Sequence, residues 1–373
     1  MFDKKFWATT LTLSGAIIGA GILGLPYVFS KSGFAVGIFW LVFLGLLMLY
    51  INLCLGEISL RTKQLHQLPG YAGIYLGKNG KKITLFIKIF GIYAALLAYM
   101  IGEGQSFSML FFGNLDSSVY FAVGFWFVMT LFMRDGLEGL KKVESRGILL
   151  ITAIILFMFF YFFGDINTAN LTYTDYNSFF LPIGVVLFAL LGFSAVPEMR
   201  LEIMKKEKKF KKAIILGSLL PIALYFIFSL TFLGTFGKDV NQVATLTSDG
   251  FIPVLGIFTM MAAYFVLSFS LLDIFVYDLK KNPHVFTFVS LIPLFLYLIV
   301  SFFNLADFAK IIGIGGVISG GLTLIMIMLI HMKSKKKGNR KPEFSVPSNW
   351  LVFLILSALA IAGIVFELLH NFL

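Results

Sequence analysis

The stretch GAIIGAGILGLP, residues 15–26, lies inside the first long apolar segment of the chain and contains four glycines and a proline. Glycine and proline cost about 1 and about 3 kcal/mol, respectively, relative to alanine in a helix interior. In a bilayer, main-chain groups released by a helix interruption stay unsatisfied unless protein or a water-filled cavity surrounds them. The stretch therefore predicts a membrane helix that is interrupted where its free main-chain groups can bind a ligand.

The composition indicates what kind of protein surrounds this break. Of the 373 residues, 59% are hydrophobic and 13% are charged, whereas soluble proteins carry about 25% charged residues. The apolar runs are continuous and about 20 residues or longer, as in membrane helices, and lack the short alternation of a β-barrel. We therefore predict an all-α polytopic membrane protein. The single cysteine, Cys54, excludes an intrachain disulfide.

Eleven apolar segments are candidate membrane spans, and an odd number places the two termini on opposite sides. The segments cover residues 6–30, 34–60, 83–112, 118–133, 146–164, 178–200, 212–236, 251–278, 284–303, 307–331 and 349–370.

The positive charges predict the orientation. With the N-terminus in the cytoplasm, all but four of the 30 Lys and Arg residues fall in cytoplasmic segments, as the positive-inside rule requires. Lys88 lies just inside a span, and Lys31, Lys238 and Lys310 lie at outer ends or loops. We predict a multi-pass plasma-membrane protein with an extracellular C-terminus. The net charge of +11 then faces anionic lipid headgroups, and no nucleic-acid partner is needed.

A second interruption, FALLGFSAVPE at residues 188–198, lies in the sixth span. Each interruption falls in the first helix of a five-span set, and the two sets have opposite topology. We predict one repeat over residues 1–164, an inverted repeat over 178–331, and a cytoplasmic loop with an eleventh helix over 332–373. Matched Gly/Pro interruptions in two halves point to the substrate site of a transporter, although either break alone would also fit a packing kink.

A third glycine-rich stretch, GIGGVISGG at residues 313–321, has no proline. Its small residues recur three to five positions apart, which favours close helix packing.

Residues 15–34, GAIIGAGILGLPYVFSKSGF, resemble the first helix of the amino acid/auxin permease family. The likeness is strongest to its archaeal and bacterial aromatic amino acid permease branch, within the amino acid–polyamine–organocation superfamily. LGEISLRT (55–62), AYMIGEGQSFSMLF (98–111), LFALLGFSAVPEM (187–199) and LLDIFVYDLKK (271–281) extend the likeness along the chain. The resemblance implies a LeuT-type fold, with a five-plus-five inverted repeat, broken helices 1 and 6, and usually one further helix.

The resemblance also implies a substrate site with three parts. Main-chain amides would receive the α-carboxylate, unwound carbonyls would hold the α-ammonium and form one wall of the side-chain pocket, and a tyrosine would line the same pocket. In this sequence the three sets are Gly19, Ala20, Gly21 and Ile22; Phe193, Ser194 and Ala195; and Tyr99.

Glu103 is the most prominent ionisable residue inside a span. It lies in the outer half of the third span, between Gly102 and Gly104. A charge inside the membrane is a functional hypothesis by default. Glu103 would bind the substrate ammonium or carry a proton, and the alternative is a carboxylate that is wetted at the outer mouth.

The sequence leaves two candidates for the coupling ion, Na⁺ and H⁺. Sodium-coupled relatives of this fold imply Gly15, Ile18 and Ser268 as ion ligands. However, Ser268 and Ser270 are two positions apart and face about 200° apart on a helix, unlike the adjacent hydroxyls of those relatives. The fifth span lacks the lysine that some proton-coupled relatives carry. We expect a cation symporter and no other cofactor.

The charged residues at the cytoplasmic ends predict two contacts. Lys4 or Lys5 would form an intracellular gate with Asp278, with Trp7 packed beneath it, as the fold family implies. Glu57 and Arg61 are four residues apart in the favourable order for a local ion pair.

The function predicted from these features is secondary active transport of neutral or aromatic amino acids by alternating access, with the amino acid and the lipid bilayer as the partners. No phosphate-cradling Walker loop is present, and no histidines stand at metal-ligand spacing, so we do not expect an enzyme. An uncoupled facilitator, exchanger or channel of the same fold is the alternative, and a membrane-embedded enzyme is a more remote one.

Overall fold

The computed structural model describes residues 3–134, 140–248, 252–275 and 285–372. These residues form fourteen α-helices, and the one β-bridge among them pairs Gly33 with Thr174. The prediction of an all-α protein is confirmed.

The helices are numbered in chain order. Those of the first half are α1 (Lys4–Ile17), α2 (Leu25–Ser32), α3 (Phe34–Arg61), α4 (Leu68–Phe112), α5 (Ser118–Arg134) and α6 (Leu140–Phe162). The second half contains α7 (Pro182–Ala189), α8 (Ala195–Glu202), α9 (Phe210–Phe236), α10 (Ile252–Asp273), α11 (Val285–Phe302), α12 (Phe308–Gly315) and α13 (Leu322–Lys337), and α14 (Trp350–Phe372) ends the chain. A 3-10 segment (Ala20–Gly24) precedes α2, and a π-helix (Gly316–Gly321) joins α12 to α13.

Many of these helices are long and apolar enough to cross a bilayer. The six continuous stretches of this kind are Phe34–Arg61, Leu68–Phe112, Ile148–Asp165, Glu207–Asp239, Ile252–Leu272 and Phe308–Lys337. A seventh candidate combines α1 with Gly21–Ser32 and bends by 48°. Three shorter apolar helices cover Ser118–Met133, Phe288–Phe302 and Trp350–Phe366. The chain is thus a multi-pass membrane protein, and the total of eleven spans stays a prediction.

The helix α4 begins well before the predicted third span. Residues 68–76 are helical, and Gly77, with φ 79°, separates them from the rest of α4. Lys78, Lys81 and Lys82 follow this kink and interrupt the apolar run, which is why the hydrophobic pattern alone assigned the segment to a loop.

The glycine-rich stretch at residues 313–321 packs closely against neighbouring helices, as predicted. A Cβ at Gly316 would collide with the main-chain carbonyl of Gly184 in α7, and a Cβ at Gly321 would lie 2.9 Å from the Cβ of Ala360 in α14. Small residues let two helix backbones approach, so this stretch holds α7 in place.

The predicted pair of Glu57 and Arg61 is confirmed, and it belongs to a larger cluster. Arg61 Nε lies 2.7 Å from Glu57 Oε1, and His331 Nε2 of α13 lies 2.9 Å from Glu57 Oε2. Lys335 Nζ lies 3.8 Å from Glu57, and the Val346 amide donates to the same carboxylate at 2.6 Å. Glu57 and His331 are both fully buried. The cluster ties α3 to α13 and to the loop before α14.

Candidate functional site

The first break separates α1 from the 3-10 segment. The Gly19 amide donates to the Ile17 carbonyl at 2.8 Å, which makes Ile18 (φ −77°, ψ 81°) the centre of an inverse γ-turn. The Ile22 amide reaches the Gly19 carbonyl at 3.4 Å. The amides of Ala20 and Gly21 precede this first bond of the 3-10 segment, and the first amides of a helix have no acceptor within it.

The four amides predicted for the carboxylate therefore divide into two pairs. Gly19 and Ile22 are engaged within the chain, whereas Ala20 and Gly21 are oriented as the open end of a helix. Pro26 stands in the first turn of α2, where its missing N–H group costs nothing. Proline therefore marks where the helix resumes after the break.

The second break covers residues 190–194, between α7 and α8. The Phe193 carbonyl accepts a hydrogen bond from the Val196 amide at 3.2 Å, and Ala195 is already the first residue of α8. Phe193 and Ser194 are unwound as expected, whereas Ala195 is helical and the Phe193 carbonyl is already engaged. A helix presents amides at its N-terminus and carbonyls at its C-terminus, so the carbonyl end of this break belongs to α7.

The two breaks touch each other. A Cβ at Gly21 would lie 2.7 Å from the Cα of Ala189, the last residue of α7. A Cβ at Gly192, inside the second break, would collide with the side chain of Ile17, the last residue of α1. Each break thus contributes a glycine, Gly21 or Gly192, at its contact with the other half-helix.

Tyr225 of α9 joins the ends of the two half-helices. Its fully buried side chain places the hydroxyl 2.8 Å from the Ile17 carbonyl and 2.7 Å from the Ala189 carbonyl. Sequence reasoning missed this residue. The available signal was the single tyrosine of α9, which does not indicate which groups its hydroxyl contacts.

Tyr99 lies where the prediction placed it, beside the first break. Its side chain is buried, its hydroxyl would lie 3.5 Å from a Cβ at Gly19, and the Gly19 amide shares the Ile17 carbonyl with the Tyr225 hydroxyl. Tyr99, Gly19 and Tyr225 therefore belong to one neighbourhood around the two breaks.

Glu103 follows Tyr99 by one helical turn of α4 and is fully buried. Neither carboxylate oxygen has a hydrogen-bond partner among the described residues. The alternative of a carboxylate wetted at the outer mouth does not fit this conformation. A buried carboxyl group without a partner is costly when ionised, so this position calls for a proton or a cationic ligand.

The three residues predicted to bind an ion keep that status as a prediction. Ser268 of α10 is buried, and its Oγ has no hydrogen-bond partner in the described parts of the chain. Gly15 lies in the last turn of α1, and Ile18 follows the end of that helix.

The predicted intracellular gate differs from the contacts at the N-terminus. Asp278 lies outside the described residues. The packing of Trp7 beneath the gate therefore stays a prediction; Trp7 itself is 50% exposed, whereas the neighbouring Phe6 is fully buried. The physical reason is helix geometry, since adjacent residues point about 100° apart and only one of them can face the core.

The N-terminus of α1 instead contacts the loop after α8. Lys5 Nζ reaches the Met204 carbonyl at 3.5 Å. Asp3 accepts a short hydrogen bond from Lys206 and lies 3.5 Å from Lys209. The hydrogen bond from Lys206 holds the pKa of Asp3 below its ordinary value, and the amide of Phe6 adds to this effect. The acidic partner thus comes from the N-terminus and the basic partners from the loop.

Residues 2–367 match the tryptophan/tyrosine permease family. The chain belongs to this family. This permease is 24% identical to tyrosine-specific transport system 2 of Haemophilus influenzae, over 95% of its own length and 94% of the relative's. It is 21% identical to glutamine transporter 2 of Aliivibrio fischeri (89% and 90%) and 25% identical to the low affinity tryptophan permease of Escherichia coli K12 (66% and 63%).

These matches confirm two predictions. The resemblance to the aromatic amino acid permease branch is confirmed, and the permease is an amino acid transporter rather than an enzyme.

The fold is also that of a solved structure. The crystal structure of MhsT in complex with L-phenylalanine superimposes with a TM-score of 0.71 over 98% of both chains, at 16% sequence identity. This likeness confirms the LeuT-type fold of the permease.

Proposed function

We propose that this permease is a cation-coupled symporter that accumulates neutral, chiefly aromatic, amino acids by alternating access, with the substrate bound at the two breaks. The observation that carries the proposal is the direct contact of the breaks. Gly21 meets Ala189 and Gly192 meets Ile17, so the open main-chain groups of two half-helices converge on one place. Paired broken helices of this kind bind substrates at the middle of the membrane.

The substrate α-carboxylate binds the amide end of the 3-10 segment. The amides of Ala20 and Gly21 form the core of this site, and those of Gly19 and Ile22 join it if their present bonds rearrange. A helix N-terminus carries a partial positive charge that favours an anion. The α-ammonium binds on the opposite side, toward the carbonyl end of α7, with Phe193, Ser194 and Ala195 as the adjoining wall.

The substrate side chain extends into an apolar crevice beside the first break. Ile22, Ile155, Phe228 and Leu255 line this crevice, and Tyr99 closes the neighbouring side over Gly19. The crevice holds about one water-sized sphere. An aromatic ring therefore requires it to widen when the substrate binds.

The coupling cation uses one of two sites. If the ion is H⁺, Glu103 carries it, because its buried carboxyl group has no other partner in the described chain. If the ion is Na⁺, the main chain at Gly15 and Ile18 binds it together with Ser268, whose hydroxyl is buried and unpaired within the described residues.

The cycle moves the cytoplasmic half-helices α1 and α8. Thr12 of α1 donates to Glu202 of α8 at 2.9 Å, and Asp3 pairs with Lys206 just beyond α8. These contacts close the inner side in an orientation with the N-terminus in the cytoplasm. The repeats over residues 1–164 and 178–331 then rock against each other around the breaks.

Uptake into proteoliposomes tests the proposal. The purified permease is reconstituted, and accumulation of radiolabelled L-tryptophan, L-tyrosine, L-phenylalanine and L-glutamine is measured under an inward Na⁺ gradient, an inward H⁺ gradient, or neither. We expect at least one aromatic amino acid to accumulate above its external concentration under one gradient. Accumulation of none of the four under either gradient would contradict the proposal.

The same experiment separates the uncoupled alternative. A facilitator or channel of this fold equilibrates its substrate but does not concentrate it, and an exchanger requires amino acid inside the liposomes. Collapse of the gradient with an ionophore must therefore abolish accumulation if the protein is a symporter.

A further inference from the structure

Tyr225 makes an unusual pair of hydrogen-bond contacts. Its hydroxyl oxygen lies 2.8 Å from the carbonyl oxygen of Ile17 and 2.7 Å from that of Ala189. Ile17 ends α1, and Ala189 ends α7. The two residues are far apart in the chain, and each is the last helical residue before a break.

The carbonyls that meet at Tyr225 stand at the C-terminal ends of their helices. The last carbonyls of a helix have no amide donor within it, and a helix C-terminus carries a partial negative charge. Two such ends repel each other and leave unsatisfied oxygens when buried. A donor shared between the two ends reduces both problems, and among the described residues the Tyr225 hydroxyl is that shared donor. The Ile17 carbonyl also accepts from the Gly19 amide at 2.8 Å.

A phenolic hydroxyl has only one hydrogen. It therefore donates fully to one carbonyl at a time, or divides its hydrogen between the two. Tyr225 Oη is within ordinary O–H···O distance of both oxygens, so neither contact is incidental. The tyrosine comes from α9, a continuous helix, which gives the two broken helices a common fixed point.

We propose that Tyr225 is a positioning residue that clamps the carbonyl ends of α1 and α7 together and thereby sets the spacing of the two breaks. The inference rests on the proposed function, because the spacing matters for transport only if the substrate binds between the breaks. The clamp itself is a property of the fold and can be measured without a substrate.

Removal of the hydroxyl has a defined consequence. Tyr225→Phe keeps the ring and leaves the buried Ala189 carbonyl without a donor among the described residues. The Ile17 carbonyl then keeps only the hydrogen bond from the Gly19 amide. The arrangement in which the two breaks touch is then populated less often, and the apparent affinity for substrate falls by the same factor. The loss of one buried hydrogen bond corresponds to a change of about tenfold. We expect the dissociation constant for L-tryptophan or L-phenylalanine to rise about tenfold.

Tyr50→Phe is the matched control. Tyr50 also donates its hydroxyl to one main-chain carbonyl, that of Pro347 at 2.6 Å. That bond lies between α3 and the loop before α14, away from both breaks. This variant loses the same chemical group and is expected to bind substrate as the unaltered protein does.

Hydrogen–deuterium exchange of the full-length protein in detergent tests the clamp directly. Peptides covering residues 15–24 and 187–196 should exchange faster in Tyr225→Phe than in the unaltered protein, and both should change together. In Tyr50→Phe the two peptides should exchange at the original rate. Unchanged exchange at either break in Tyr225→Phe would overturn the proposal, whatever the protein transports.

Measuring amino acid binding by the unaltered protein and by Tyr225→Phe then distinguishes this inference from the proposed function. If the unaltered protein binds an aromatic amino acid and Tyr225→Phe binds it equally well, the positioning role is refuted and the transport proposal stands. If the exchange rates change as expected but the unaltered protein binds none of the amino acids, the clamp stands and the substrate proposal is refuted.

A second measurement covers the case in which Tyr225→Phe does not fold. Site-specific incorporation of 3-fluorotyrosine at position 225 keeps the hydroxyl, and its ¹⁹F resonance reports on the hydrogen bond. We expect this resonance to shift when L-tryptophan or L-phenylalanine is added, and a fluorine at Tyr50 to stay unchanged. No shift at position 225 on saturation would overturn the positioning role.

Discussion

Replacement of Gly21 by alanine tests whether the two breaks must touch. The added Cβ would lie 2.7 Å from the Cα of Ala189, 3.1 Å from its Cβ and 3.1 Å from Cδ1 of Phe188. Carbon atoms pack at about 3.5–4.0 Å, so the methyl group overlaps the main chain of α7 by roughly 1 Å. A main chain at the end of a packed helix cannot rotate away as a side chain would.

The size of the effect follows from this overlap. Adding a methyl group to a well-packed interior costs about 1–3 kcal/mol, which corresponds to roughly 5- to 150-fold in the population of the touching arrangement. We therefore expect Gly21→Ala to lower the thermal unfolding temperature. Apparent affinity for an aromatic amino acid should fall by a factor in the same range, while the protein still inserts into the membrane.

Gly19→Ala is the steric control for this prediction. A Cβ at Gly19 meets only the hydroxyl of Tyr99, at 3.5 Å, which is an ordinary contact. The assay is thermal unfolding of both purified variants in detergent, with and without L-tryptophan and L-phenylalanine. Gly19→Ala should unfold at the original temperature. The reasoning is refuted if the two variants unfold at the same temperature, or if Gly21→Ala is as stable as the unaltered protein.

Three further predictions address the other buried and terminal groups. Glu57→Gln removes the buried carboxylate that Arg61, Lys335 and the His331 ring contact and should destabilise the protein by about 3 kcal/mol. The partly exposed Glu343→Gln should cost less than about 1 kcal/mol, and equal unfolding temperatures would contradict this. Glu103→Gln should flatten the pH dependence of uptake if H⁺ is the coupled ion, and Ser268→Ala should weaken Na⁺ stimulation if Na⁺ is, so uptake by both variants that matches the unaltered protein under each gradient would exclude both sites. The pKa of Asp3 is lowered in the folded protein, so its stabilising contribution is present above its unfolded pKa of about 3.9 and is lost as the pH falls toward its folded pKa. Relative to the intrinsic exchange rate at each pH, the protection of the first amides of α1 should fall below about pH 4, and Asp3→Asn should show the lower protection already at pH 7.

The positions of the two breaks could be predicted from the sequence to different degrees. The first break is fully local, since glycines end α1 and Pro26 stands where the helix resumes. The second break was found, but Ala195 is already the first residue of α8 and the Phe193 carbonyl accepts the Val196 amide. Glycine and proline indicate that a helix ends nearby. The residue at which it ends depends on which terminal main-chain amides and carbonyls find hydrogen-bond partners.

The cytoplasmic contacts show the same limit. The pair of Glu57 and Arg61 is four residues apart on one helix, and local geometry predicts it. His331 and Lys335 reach the same carboxylate from α13, and nothing in the local sequence connects them to Glu57. Trp7 and Phe6 are adjacent aromatic residues, and only the direction in which α1 faces its neighbours decides which of them is buried.

Composition and the properties of short segments were enough to predict the membrane class, the two interruptions and the family resemblance, and they also predict the orientation. The contact between the interruptions, its location at Gly21 and Gly192, and the hydroxyl on α9 that serves both carbonyl ends are visible only in the packed helix bundle. The physical reason is that main-chain groups freed by a break have no partner encoded nearby. Their partners come from distant segments, and the packing of the whole helix bundle brings those segments together.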